Sequence, residues 1–132
     1  MIQFEVKVMN KPGTLALICD SLTKAGINII SVSTEANGKS GIIKLITNNE
    51  LATKSVLKEA GLEYMEREIV AVELLDSPGE LGRFAKALSE HNVNIQSVFL
   101  LDRNGGNVKL AVKTDHLENT IKAIQRIQRK FE

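Results

Sequence analysis

The stretch Asn10-Lys11-Pro12-Gly13-Thr14-Leu15 returns as Asp76-Ser77-Pro78-Gly79-Glu80-Leu81, and this repetition decides how the rest of the chain is read. The copies lie 66 residues apart in a chain of 132. At the same offset Leu22 falls on Leu88, Asn28 on Asn94, Ile29 on Ile95, Ser31 on Ser97 and Val32 on Val98. A match of this extent repeats a whole supersecondary unit rather than one loop. The two repeats are taken as residues 1–68 and 69–132.

Upstream of the first Pro-Gly, Ile2, Phe4, Val6 and Val8 alternate with Gln3, Glu5, Lys7 and Met9, the period of a strand with one buried face. Val70, Val72 and Leu74 copy it. Downstream the period changes: Leu15, Ile18, Cys19, Leu22 and Ala25 follow helical spacing, as do Leu81, Phe84, Ala85 and Leu88. Gly26 is placed to end the first helix and Asn92 the second, since both residue types tolerate a left-handed backbone. Cys19, matched by Ala85, reads as a small core residue.

The next segments, 28–35 and 94–102, are rich in Ile, Val, Ser and Phe and run into Asn37-Gly38 and Asn104-Gly105-Gly106, which signal hairpin turns. For the returning strands the expected alignment sets Ile43 and Leu45 against Val108 and Leu110, an offset of 65. Second helices are expected over 51–60 and 117–131, with Val56 equivalent to Ile121. A fourth strand over 63–68 closes the first repeat and runs into the strand 69–75. The second repeat lacks a counterpart to it, so the edge beside 69–75 is expected to be covered by the linker strand or by another chain. The order βαββαβ, then βαββα, predicts an α+β fold of two ferredoxin-like units with antiparallel sheets and helices on one face.

The fold hosts many functions, so it decides none by itself. A formal net charge of +1 gives no reason to expect a nucleic-acid or membrane partner. Aromatic residues make up 4% of the chain, too few for the base-stacking strands of an RNA-binding sheet. One cysteine and two histidines at unrelated positions suit no metal site by the usual ligand spacings, and no cofactor is expected. No nucleophile with a base and no catalytic carboxylate pair stands at a recognisable spacing, so the expectation is a protein that is not an enzyme. The alternating start, residues 1–9, is neither a signal peptide nor a span, which makes a cytoplasmic protein the default.

An Asn or Asp two residues before Pro-Gly, the helix after it, and the Asn-Ile-x-Ser run opening the next strand resemble the ACT domain, an amino-acid-sensing module, here in two copies. Gly26-Ile27-Asn28-Ile29-Ile30-Ser31-Val32 is also similar to the matching part of acetohydroxyacid synthase regulatory subunits. The resemblance implies sites where the Pro-Gly loop of one unit faces the Asn-bearing strand of another. The residues it singles out are Asn10, Pro12, Gly13 and Asn28, with Asp76, Pro78, Gly79 and Asn94; beside them Lys11 offers a cation for a ligand carboxylate. Their chemistry suits a zwitterion: free amides at a helix start attract a carboxylate, and Asn oxygens accept from an ammonium group. Met9, Ile30 or Leu75 would supply an apolar wall.

Ser77-Pro78-Gly79-Glu80 fits a capping box with proline at the first helical position, whereas Lys11-Pro12-Gly13-Thr14 does not. The first loop is therefore expected to offer the freer amides, and Asn10 and Asn28 to matter more than Asp76 and Asn94. A structural reading stands beside this: Pro-Gly before a helix is a common turn, and Asn28 and Asn94 can cap a strand entry. The expected function is a stand-alone amino-acid-binding regulatory protein, working as a homodimer in trans on an enzyme of amino-acid metabolism. The alternatives are an assembly module that joins sheet edges without a ligand, and a regulatory subunit of a synthase.

Overall fold

The structure, a computed structural model, describes residues 1–129. The chain divides into two compact units, Ile2–Arg67 and a second that runs from Glu68 onward and takes in Met1.

In the first unit the alternating start forms strand β1 (Ile2–Met9), the period-3.6 segment forms helix α1 (Thr14–Lys24), and the hairpin signal joins β2 (Ile29–Asn37) to β3 (Ser40–Thr47). Helix α2 (Glu50–Glu59) and strand β4 (Tyr64–Glu68) complete it. The sheet order is β2-β3-β1-β4. Phe4 and Val6 from β1, Ile43 and Leu45 from β3, Ile18 and Leu22 from α1 and Leu57 from α2 form the core. Tyr64 meets Phe4 edge-to-face, with ring centroids 5.8 Å apart, the geometry that aromatic quadrupoles favour.

The second unit repeats this with β5 (Val70–Leu75), α3 (Glu80–Glu90), β6 (Ile95–Asn104), β7 (Asn107–Thr114) and α4 (Leu117–Arg129), in the sheet order β5-β7-β6. Its core is Val72 and Leu74, Phe84 and Leu88, Leu110 and Val112, and Ala123, Ile124 and Ile127. The expected helix end at Phe131 lies outside the described residues. Strand β4 pairs in the first sheet, where the Lys7 amide donates to the Glu63 carbonyl at 2.9 Å. The expectation that this linker strand covers the outer edge of β5 is therefore corrected.

Both α1 and α3 end as the sequence implies. Gly26 has φ +72°, Asn92 has φ +58°, and the amides of Ile27 and Val93 return to the carbonyls of Leu22 and Leu88 at 3.0 and 2.9 Å. Asn92 is the one non-glycine residue with positive φ among the described residues, a backbone region that Asn enters more readily than most. Cys19 is half-buried rather than a core residue.

The alignment of the returning strands is corrected by the pairing. Val6 faces Ile43 in the first sheet and Val72 faces Leu110 in the second. Ile43 is thus equivalent to Leu110 and Leu45 to Val112, an offset of 67 rather than 65. The extra residue is a bulge in β6 between Leu100 and Asp102, which the first hairpin lacks. A bulge adds one residue to a strand without lengthening its partner. Because side chains alternate with period two, a slip of two residues returns the same apolar pattern, so the sequence could not distinguish the registers. The equivalence of Val56 and Ile121 falls with it: the offset of 67 pairs Val56 with the buried Ala123.

The same offset relates two hydroxyl pairs. Thr47 and Thr53 bond at 2.7 Å, and Thr114 and Thr120 at 2.6 Å. Each joins the end of a strand to the first turn of the following helix, and Thr53 and Thr120 also donate to the carbonyls of Asn49 and His116.

Candidate ligand site at the Pro-Gly loops

Gly13 and Gly79 are the N-caps of α1 and α3, at φ +89°, ψ −10° and φ +88°, ψ −12°. The amides of Thr14 and Glu80 point back to the carbonyls of Lys11 and Ser77, at 3.5 and 3.3 Å. Proline followed by glycine near φ +80°, ψ 0° is the signature of a type II turn. The helix can begin only after that turn, so Pro78 is not its first residue and the expected capping box does not form. Glu80 instead binds Arg83, one turn on, at 2.9 Å. No side chain caps either helix, which leaves the second and third amides, those of Leu15 and Ala16 and of Leu81 and Gly82, facing outward uncapped. The two loops are equivalent where the sequence implied a difference.

Residues 10 and 76 do the same work by different chemistry. Asn10 donates from Nδ2 to the Gly38 carbonyl at 2.9 Å, while its amide donates to the Lys39 carbonyl at 2.9 Å. The Asp76 amide donates to the Gly106 carbonyl at 2.8 Å, and its carboxylate pairs with Arg103 Nε at 2.9 Å. Each residue ties its Pro-Gly loop to the tip of the following hairpin. Asn10 uses its donor in this tie, so its Oδ1 remains an acceptor for a ligand.

A cleft of about 140 Å³ opens at this end of the first unit. Asn10, Lys11, Thr14 and Leu15 form one wall, and Thr34, Glu35, Ala36 and Ile42 the other, with Met9 between them. Glu35 is held by Lys44 at 3.4 Å, whereas Lys11 is exposed and forms no ion pair among the described residues. The sequence reading missed Thr34 and Glu35 because they lie some twenty residues from the loop and are brought to it only by the pairing of β2 with β3. It did mark Met9 as a wall. A usable signal for Leu15 was an apolar residue two places after Pro-Gly: it is 38% exposed and turns to the cleft instead of the core.

Asn28 is not brought to this cleft. The ladder places Asn37 opposite Ser40 at the loop end and Ile29 opposite Thr47 at the far end, so Asn28 and Asn10 are separated by the nine-residue length of β2, about 30 Å. The same holds for Asn94 and Asp76. Asn28 and Asn94 do not cap the strand entry with their side chains. They are capped, since their amides donate to the side-chain oxygens of Asn48 and Asp115, each at 2.9 Å, and return bonds run from the Asn48 and Asp115 amides to their carbonyls. Both Asn side chains are left exposed.

A family model described as an ACT domain pair matches residues 1–131. The chain belongs to this family. No curated protein sequence matches it. Among solved structures, this ACT domain pair is similar to a protein from Bacteroides thetaiotaomicron, at 20% identity and TM-score 0.89, over 96% of this chain and 88% of that one. It is also similar to the ligand-free regulatory subunit of aspartate kinase from Thermus thermophilus, at 15% identity and TM-score 0.69, over 99% and 92%. The same subunit from Thermus flavus matches at 16% identity and TM-score 0.57, over 95% and 90%. At these identities the likeness establishes a shared fold. Among the described residues of the ACT domain pair no cluster of His, Cys, Asp and Glu could hold a metal ion, and no helix is long and apolar enough to cross a membrane.

Proposed function

We propose that this ACT domain pair binds a free amino acid at its Pro-Gly loops and acts in trans as a non-catalytic regulator of an enzyme of amino-acid metabolism. The observation that carries the reading is the pair of uncapped helix starts, each behind a glycine at positive φ and each tied in place by residue 10 or 76. A ligand carboxylate meets amides that no side chain occupies, in the favourable field of a helix N-terminus. In the first unit Lys11 adds a cation, and the free Oδ1 of Asn10 and the Glu35 carboxylate accept from the ammonium group.

Because Asn28 lies at the opposite end of its own sheet, it joins such a ligand only where its strand meets the loop of a unit other than its own. The working form we propose is a homodimer. Ligand binding then shifts the balance between two arrangements, and the partner enzyme responds to the arrangement. Since two structural neighbours are regulatory subunits of aspartate kinase, that kinase is the first enzyme to test.

The experiment is a thermal-shift screen against the twenty amino acids, with calorimetry on any hit. A ligand confined to the folded state stabilises it by about 2.7 kcal/mol at a hundred times its Kd. A rise with one amino acid that is lost in Lys11→Glu supports the proposal. No rise with any amino acid overturns it. The outer edge of β5, unpaired among the described residues, would then favour an assembly module, with oligomeric state measured by sedimentation.

A further inference from the structure

Both histidines of the chain stand at one end of the second unit, where α3 stops and α4 starts. His116 precedes Leu117, the first residue of α4. Its Nδ1 accepts from the Asn119 amide at 3.1 Å, and its carbonyl accepts from the Thr120 amide at 3.1 Å. His116 is therefore the N-cap of α4, a place that Asn, Asp, Ser and Thr usually fill. His91 is the C-cap of α3, and its Nδ1 lies 2.9 Å from the Ala87 carbonyl. Asn119 joins the two helix ends, because its Nδ2 donates to the His91 carbonyl at 3.2 Å.

The first unit holds the same frame without a titratable group. Asn49 stands for His116, Ala52 for Asn119 and Ala25 for His91. Asn49 caps α2 through its side chain, which accepts from the Ala52 amide at 3.0 Å. An amide oxygen accepts at any pH, whereas an imidazole nitrogen accepts only while it carries no proton. The neutral ring of His116 thus bears its hydrogen on Nε2, and the next proton must enter at Nδ1 and displace the bond to Asn119. His91 behaves otherwise. Its Nδ1 faces a carbonyl, which only accepts, so that nitrogen carries the hydrogen and a second proton enters at Nε2 with the bond intact. It does so at a helix C-terminus, which favours positive charge.

We propose that His116 is a proton-sensitive cap: unprotonated it starts α4 and holds Asn119 against the end of α3, and protonated it releases the first turn of α4. Histidine changes charge between about pH 5 and 8. The capped form holds no proton on Nδ1 and the released form accepts one. This contribution to stability is therefore complete at the upper end of that range and is lost as pH falls through it. An imidazolium there also stands at the positive end of the α4 dipole. The carboxylates of the same loop and turn act the other way, but each is engaged: Asp115 accepts from the Asn94 amide at 2.9 Å, and Glu118 pairs with Lys122 at 3.5 Å. Glu90 ends α3 next to His91 in sequence and adds to the preference for positive charge on that ring. The bonds of the Thr120 hydroxyl to Thr114 and to the His116 carbonyl use no imidazole atom, so they survive protonation and confine the release to the first turn.

The test follows the full chain by nuclear magnetic resonance across the histidine range, reading both imidazole rings and the backbone amides of Asn119 and Ala52, and measures melting temperature at either end of that range. The comparison proteins are His116→Asn and His91→Ala. Each installs the residue that the first repeat carries at the same place, so the fold accommodates it. The expected result is an Asn119 amide signal that moves with the titration of the His116 ring while the Ala52 signal stays still. The advantage of His116→Asn over the unaltered chain in melting temperature should be about 4 °C larger at the acid end than at the other. His91→Ala should leave the movement of the Asn119 signal in place. An Asn119 signal that does not follow His116, or a melting difference that is the same at both ends of the range, overturns the proposal. So does a movement abolished by His91→Ala, which would put the sensor at the end of α3.

Discussion

Asn10 Nδ2 lies 2.9 Å from the Gly38 carbonyl, and in the second unit Asp76 lies 2.9 Å from Arg103 Nε. The two ties join the same loop to the same hairpin tip, one through a neutral amide and one through an exposed ion pair. A neutral hydrogen bond of this kind contributes about 0.5–1.5 kcal/mol, and an exposed pair up to about 1 kcal/mol. Asn10→Ala is expected to lower stability by an amount insensitive to salt. Asp76→Ala is expected to lower it at low ionic strength and to lose that effect near 1 M salt, where the screening length is about 3 Å. Urea denaturation at both salt concentrations checks the contrast.

Gly13 and Gly79 sit at nearly identical positive φ, and an added Cβ meets no atom within 4 Å at either. Alanine there suffers backbone strain without a clash. Gly13→Ala and Gly79→Ala should each cost about 1–2 kcal/mol, with the two values close to each other. A large inequality in thermal or urea denaturation would contradict the equivalence of the two turns.

Variants of Asn28 and Asn48 are expected to separate binding from folding. Asn28 is bonded through its main chain, whereas Asn48 supplies the side-chain acceptor. Asn48→Ala is expected to destabilise by about 1 kcal/mol, the usual worth of such a bond. Asn28→Ala is expected to leave the melting temperature unchanged and to weaken amino-acid binding by tenfold or more. Calorimetry and melting curves on the same two variants decide it.

Thr53 is fully buried and its hydroxyl bonds both Thr47 and the Asn49 carbonyl. Thr53→Val keeps the shape and removes the hydroxyl, so it should cost about 1–3 kcal/mol by leaving buried groups unsatisfied. Thr53→Ser should cost less, since it retains the bond. Thr120→Val should behave alike in the second unit. Denaturation curves of the three variants give the ranking.

Lys54 hydrogen-bonds Glu66 at 2.9 Å, joining α2 to β4. That bond, followed by the Coulomb attraction of the same carboxylate, raises the Lys54 pKa above its ordinary value. A raised lysine pKa means that the pair stabilises the fold below the ordinary lysine range and ceases to do so as pH rises through the raised value. In a nuclear magnetic resonance titration of the lysine side chains, the Lys54 midpoint should lie above the ordinary lysine value, and Glu66→Gln should bring it back towards that value.

The duplicated Pro-Gly motif, the two apolar periods and the glycine and asparagine stops made the element order legible, because each is a local consequence of backbone geometry. The helix starts show the limit of that legibility. Ser77-Pro78-Gly79-Glu80 satisfies a capping box as a string, yet Gly79 takes the left-handed backbone that a type II turn demands and the helix starts one residue later. Two local rules competed, and the turn prevailed because the tie from Asp76 to the hairpin tip fixes the loop before the helix begins.

By itself the sequence determined two antiparallel βαββα units, their apolar faces and the residue types at the loops, since these follow from periodicity and from the restricted φ of proline and the freedom of glycine. Tertiary structure decided the rest. The period-two degeneracy of strands hid the bulge in β6, so only pairing set the register of the second hairpin. Only the parallel course of β1 and β2 on either side of β3 set Asn28 a sheet's length from Asn10 and brought Glu35 to it instead. Only the packing of α3 on α4 gathered Arg83, Lys86 and Arg126 into one groove, because side chains forty or more positions apart meet through packing and not through local sequence.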